Sequence, residues 1–323
     1  MSAGEINYSR STRAQLTIHH FSIHSPRYLL LVVHGYGDAV GKYAEMAGAF
    51  TRTGAYVFGP DLPGHGLSAG ENLLIEDLEP LVDSLRSITD EARWQYPGLP
   101  LFVLGHSMGG MIATRYAQRF RHGMAGLILA APLLGETTRI TRLMDGLHKS
   151  ATGDIQRFSD ETTGAGMMID RAGTVREWFG PFRRQTLSAM KRMLMLAHSG
   201  PGFGSLPVLW IHGKEDSTVL AEETETTLER LRGSRYRKLN IEKAGHNLFT
   251  GDAWPRTVSS VQTFIEDILR SDGKRNFQTV FHFCPCFLPW TLSRTWTLPW
   301  TETRLTPEDP GSPPHSACGL TTP

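Results

Sequence analysis

Apolar residues along this chain fall into two kinds of pattern. Leu29 to Val33, Tyr56 to Gly59, Leu101 to Leu104, Leu127 to Ala130 and Val208 to Ile211 are short continuous runs, each closed by Gly, Pro, Asp or His close behind. Runs of this length without alternation predict strands buried on both faces of a parallel sheet, with loops at their carboxyl ends. Between them, Leu78, Leu81, Val82, Leu85 and Ile88 recur at three- and four-residue steps, as do Val258, Val261, Ile265 and Ile268. That is the spacing of one helical face. Strand and helix alternate, so the chain predicts an α/β fold with a mostly parallel, doubly wound sheet.

The alternation breaks between Pro132 and Leu206, where no strand-like run occurs but helical stretches do, including Met190, Met193, Leu194 and Ala197. An inserted, mostly helical lid over residues 133–206 is expected, dividing the core into 1–132 and 207–273. Six of the eleven methionines fall there, with Trp178, Phe179 and Phe182 nearby. Methionine suits a surface that accommodates varied apolar shapes, although packing of the lid onto the body explains most such residues. From Lys274 the chain turns rich in Pro, Thr and Trp without a sustained period, so residues 274–323 read as a disordered or non-domain tail.

Composition narrows the class. With 323 residues, 40% of them apolar, the chain can build an ordinary globular core. Its 33 basic and 32 acidic residues leave a formal charge of +1, which gives no broad positive field for a phosphate backbone. Nucleic acid is not an expected partner. The first residues, MSAGEINYSRSTRAQ, lack the apolar run of a signal peptide, and no later stretch reaches the roughly 18 apolar residues of a membrane span. A cytoplasmic address is expected, with peripheral contact to a lipid surface left open by the three tryptophans of the tail. The three cysteines, Cys284, Cys286 and Cys318, all lie in that tail, so the body folds without disulfides or thiolate metal sites. The chemistry falls to oxygen and nitrogen groups.

Directly after Leu101 to Leu104 comes Gly105-His106-Ser107-Met108-Gly109, followed by Gly110 and a helical stretch from Met111 to Phe120. This is G-x-S-x-G in the strand-turn-helix setting that gives the motif its meaning. The turn is so sharp that the residues two before and two after the serine must be tiny. It lifts Ser107 Oγ clear of the sheet and aims the backbone N–H of Met108 at the position of a substrate oxyanion. An earlier strand ends in His34-Gly35-Tyr36-Gly37, whose turn lets a second N–H, that of Tyr36, face the same point. His34 itself reads as a structural histidine bonding nearby loops.

A serine hydroxyl needs a base, and position selects among thirteen histidines. His246 lies just after the strand-like segment Tyr236 to Ile241 and before the final helix, and the order Ser, acid, His is the one this fold uses. The acid should follow the penultimate strand, where Val208 to Ile211 leads into His212-Gly213-Lys214-Glu215-Asp216. Asp216 is the candidate, with Glu215 left to solvent. His19, His20, His24, His122, His148 and His198 read as surface or structural residues, and His65, His106 and His212 as supports for the turns beside them.

With these residues in place, the chain resembles the monoacylglycerol lipase and lysophospholipase group of α/β-hydrolases, classed with serine aminopeptidase-like hydrolases. The likeness covers roughly residues 15–271. It rests on the turn at 34–37, on Asp61-Leu62-Pro63-Gly64-His65-Gly66-Leu67-Ser68-Ala69-Gly70, and on the segments at 105–110, 212–216 and 245–246. It implies an α/β-hydrolase fold with a helical lid, a small acyl ester as substrate, and hydrolysis without metal or organic cofactor. Met167, Met168, Met190, Met193, Met195, Trp178 and Phe182 are then expected to offer apolar area to one acyl chain. A thioesterase or an aminopeptidase-like amide hydrolase on the same triad, or a silent ligand-binding relative, are the alternatives. Oligomeric state has no sequence signal.

Overall fold

The runs that read as buried strands lie side by side in one sheet. The computed structural model describes residues 6–10, 15–135, 166–169, 175–178 and 183–272. Among these, the sheet orders β1 (Ile6–Arg10), β2 (Thr17–Phe21), β4 (Ala55–Pro60), β3 (Tyr28–Val33), β5 (Leu101–His106), β6 (Gly126–Ala130), β9 (Val208–Gly213) and β10 (Tyr236–Ile241). From β4 to β10 the neighbours are parallel. β2 runs antiparallel to β4, and β1 antiparallel to β2.

Helices cover both faces. Leu29, Leu31 and Val33 pack with residues of α2 (Glu79–Gln95), α3 (Met108–Phe120) and α4 (Arg184–Ser199). Leu30, Val32, Phe102 and Leu104 pack on the other side with α1 (Ala44–Thr51) and α6 (Trp254–Asp272). Successive residues of a strand point to opposite faces, and here both faces are dry, which is why these strands show no polar alternation. The last helix to place, α5 (Ala221–Leu231), sends Leu228 and Leu231 into the first of these cores.

The sheet order fixes where a site can form. From β3 the chain steps to β4 on one side and then back to β5 on the other, so the winding reverses between β3 and β5. Loops leaving the carboxyl ends of two such strands part in opposite directions and open a crevice. His34 to Gly37 leave β3 and Ser107 leaves β5, so both candidate loops stand at this reversal.

Some elements had no clear sequence signal. β2, with sequence TIHHF, buries His19 beside its apolar residues, and α5 carries Thr224 and Thr227 on its buried face. One expectation is corrected: the stretch between Pro132 and Leu206 does contain strands, an antiparallel hairpin of β7 (Gly166–Ile169) and β8 (Val175–Trp178). Four residues are too few to display a period. Helix α4 buries Thr186, Leu187, Met190, Met193, Leu194 and Ala197, so Met190 and Met193 pack on the body. Met195 is 63% exposed, since the helical period that turns Met193 inward turns its second neighbour outward. The side chains of Met167, Met168, Trp178 and Phe182, and the tail from residue 273, lie outside the described residues. Among the described residues no helix is long and apolar enough to cross a membrane.

Candidate active site

The turn at Ser107 is held by fit rather than by flexibility. Ser107 adopts φ 54° and ψ −120°, a conformation that only a strongly constrained L residue keeps. A Cβ at Gly105 would lie 2.4 Å from the carbonyl oxygen of Gly109, and one at Gly109 would lie 2.1 Å from that of Val33. Both glycines are therefore obligatory, because helix α3 starts in contact with β3 and β5. The Ser107 N–H donates to Ala130 O at 3.1 Å, and Leu133 N–H donates to Ser107 O at 3.0 Å, which ties the turn to the end of β6.

Three expected residues meet here. His246 Nε2 lies 2.9 Å from Ser107 Oγ, and His246 Nδ1 lies 2.8 Å from Asp216 Oδ2. Asp216 Oδ1 accepts from the N–H groups of Thr218 and Val219, each at 2.9 Å. Its Oδ2 also lies 3.2 Å from His212 Nε2. Trp210 Nε1–H donates to His212 Nδ1 at 3.1 Å, so a neutral His212 carries its proton on Nε2 and gives it to Val219 O and to the carboxylate. Burial pushes the Asp216 carboxyl up, but the neighbouring His246 and the hydrogen bonds from His212 and His246 outweigh it and hold the group well below the usual carboxylate range. An ionised Asp216 fixes the proton of His246 on Nδ1, leaving Nε2 to accept from the serine hydroxyl. Glu215, beside Asp216 in the chain, is exposed.

The turn after β3 presses against the serine. A Cβ at Gly35 would sit 3.1 Å from Ser107 Cβ, and Gly37 takes φ 69°, open to glycine. Met108 opens α3, so its N–H belongs to the first turn, whose donors have no intrahelical acceptor. His34 is structural as expected: Leu62 N–H donates to its Nε2 at 2.9 Å and its Nδ1–H donates to Gly35 O at 2.7 Å. Burial lowers His34 to about 4. Burial, with His34 beside it, lowers His65 to about 3.

Asp61, at the head of its glycine-rich segment, joins distant parts of the fold. Fully buried, it accepts from Val40 N–H and Leu67 N–H at 2.8 Å and pairs with His19 Nε2 at 2.8 Å, tying β2 to two loops. Sequence reasoning missed Tyr43, Asp38 and Lys42. Tyr43 Oη donates to Asp38 Oδ2 at 2.8 Å and lies 3.0 Å from His106 Nδ1, while Lys42 Nζ donates to Asn247 Oδ1 at 3.4 Å. Their only sequence signal is the four-residue spacing of Asp38 and Lys42.

The chain matches the family described as serine aminopeptidase, S33, over residues 24–252. Human monoglyceride lipase is 39% identical over 110 residues, covering 34% of this chain and 36% of that protein. Phospholipase YtpA of Bacillus subtilis is 30% identical over 121 residues, 37% of this chain and 46% of that one. The matched segments thus span less than half the length of these curated relatives. A solved soluble variant of monoglyceride lipase from Saccharomyces cerevisiae, in complex with a substrate analogue, is similar at TM-score 0.65 and 19% identity over 83% of this chain and 96% of that one. At that identity the likeness speaks for the fold.

Proposed function

Because this chain belongs to the serine aminopeptidase S33 family and has the α/β-hydrolase fold, we propose that it hydrolyses carboxylic esters through Ser107, His246 and Asp216. The observation that carries the reading is the hydrogen-bonded line from Asp216 Oδ2 to His246 Nδ1, at 2.8 Å, and from His246 Nε2 to Ser107 Oγ, at 2.9 Å.

Ser107 Oγ attacks the ester carbonyl carbon as its proton passes to His246 Nε2. The tetrahedral oxyanion is held by the N–H groups of Tyr36 and Met108, which need no reorganisation as charge develops. His246 then gives the proton to the leaving alkoxide, releasing the alcohol and leaving an acyl-enzyme. Water, deprotonated by the same nitrogen, repeats the sequence and frees the acid and the serine. Asp216 keeps its charge throughout and offsets that of the transient imidazolium.

For the substrate we favour a single-chain acyl ester, a monoacylglycerol or a lysophospholipid, presented by a lid over residues 133–206. Similarity to a monoglyceride lipase and a phospholipase supports that choice. Met195 and Leu196, exposed on α4, are the apolar side chains a lipid surface would meet.

The test is a p-nitrophenyl ester series from acetate to palmitate, run beside a monoacylglycerol, lysophosphatidylcholine, an acyl thioester and an aminoacyl anilide. Each methylene buried on binding contributes about 0.8 kcal/mol, so kcat/KM is expected to rise about fourfold per methylene until the pocket fills. A steady fall from acetate, or faster cleavage of the thioester or anilide, would overturn the substrate reading. Absence of fluorophosphonate labelling at Ser107 would mark a silent binding protein instead.

A further inference from the structure

Tyr36 is placed by its neighbours more firmly than an oxyanion donor acting through main chain requires. Its ring packs edge-on against His65 at 5.5 Å between centroids, and His65 lies 5.4 Å from His34, the residue that begins the same turn. At the far end of the ring, Tyr36 Oη accepts a hydrogen bond from the backbone N–H of Arg183 at 3.0 Å. Arg183 is the residue that caps the amino end of α4.

The same end of α4 is bolted to the loop that carries His65. Thr186 Oγ1 donates to Leu73 O at 2.9 Å and accepts from Ile75 N–H at 2.8 Å, in a fully buried site. Arg183 Nε donates to Asn72 O at 3.1 Å, and its guanidinium pairs with Glu71 at 3.0 Å. Arg192, two turns on, donates to Glu76 O. Residues 61–76 therefore touch the oxyanion turn through His65 and the inserted helix through Leu73, Ile75 and Asn72, while Tyr36 closes the triangle directly.

We propose that Tyr36 is a positioning residue: its hydroxyl, held by the Arg183 N–H, makes the aim of the Tyr36 backbone donor depend on the docking of α4. The inference rests on the catalytic reading above, since it concerns the oxyanion hole of that reaction. A backbone donor stabilises a tetrahedral oxyanion only when aimed at where the charge develops, and a short turn that loses one of its anchors loses part of that aim. Anchoring the side chain of the same residue narrows the range of that aim. A shift of α4 then acts on transition-state binding through Tyr36, without touching the triad.

Two substitutions remove the two ends of this bond. Tyr36→Phe deletes the acceptor and keeps the ring against His65. Arg183→Pro deletes the donor at a residue whose φ is −69°, the value proline imposes. Arg183→Ala serves as reference, because it loses the side-chain contacts to Asn72 and Glu71 but keeps the N–H. The readouts are kcat and KM on p-nitrophenyl butyrate, and the affinity of an alkyl trifluoromethyl ketone, whose adduct with the serine carries the oxyanion charge. Tyr36→Phe is expected to lower kcat about tenfold with KM within about twofold, and to weaken the ketone in parallel. Arg183→Pro should do the same relative to Arg183→Ala, and the double variant should be no worse than either single one.

Losses that multiply in the double variant, or a raised KM at unchanged kcat, would overturn the proposal, as would kcat and ketone affinity within twofold of the unsubstituted protein in both variants. In each of those cases fluorophosphonate still labels Ser107 and the catalytic reading stands. An unsubstituted chain that neither turns over esters nor takes the label removes both.

Discussion

His106 Nε2 donates to the backbone carbonyl of His246 at 3.0 Å, so the side chain just before the candidate nucleophile holds the loop that carries the candidate base. Burial, then the nearby His246, keeps His106 well below the usual histidine range and therefore neutral. With its proton given to that carbonyl, Nδ1 lies 3.0 Å from Tyr43 Oη, whose single proton goes to Asp38 Oδ2. His106→Leu is expected to lower kcat about tenfold or more while KM changes little, because the carbonyl of His246 loses its partner and the imidazole loses its register. Tyr43→Phe, one step further away, should destabilise the fold by about 1–3 kcal/mol in urea titration and spare most of the rate. Equal rate losses in the two variants would show that the string acts as one unit.

Ser107 itself sits in a strained conformation at the turn that presents its hydroxyl. Ser107→Ala and Ser107→Gly should both end ester hydrolysis and fluorophosphonate labelling. Only the glycine variant relieves φ 54°, and after its own entropic cost it should be the more stable of the two by about 1 kcal/mol. Denaturant midpoints decide this, and an alanine variant as stable as the glycine one would show the turn is unstrained.

Asp216→Asn is expected to reduce kcat about 10⁴-fold, since an amide cannot hold the Nδ1 proton in place, whereas exposed Glu215→Gln should stay within about twofold. Comparing kcat at saturating substrate separates them. The reverse ranking would reassign the acid.

Buried histidines make stability depend on pH. His34, at about 4, and His65, at about 3, stay neutral in the fold, while the unfolded chain protonates them near about 6.5. Between those values the unfolded state binds more protons, so stability falls as pH falls from about 6.5 toward 4, by up to about 1.4 kcal/mol per pH unit for each histidine. Asp216 has its carboxyl lowered in the fold, so its contribution is lost only below about 4, outside this window. Urea midpoints at pH 7.5, 6 and 5 should decline in that order. A flat profile would mean these histidines are charged in the folded state.

What the sequence determined follows from local rules. Continuous apolar runs marked the strands that helices cover on both sides, as at Tyr28–Val33. Gly105 and Gly109 announced the turn at Ser107, because no larger residue fits between crossing backbones. Asp216 and His246 followed from their places after successive strands. Tertiary structure alone decided the contacts that join distant segments. Tyr36 to Arg183 spans 147 positions and Thr186 to Leu73 spans 113, and no periodic pattern encodes which side chains close such gaps. Strand β2 and helix α5 were hidden for a related reason: their buried faces carry His19, Thr224 and Thr227, whose burial depends on partners elsewhere in the chain. A hydrogen bond between remote residues exists only once the sheet order has brought their loops to the same end of the strands.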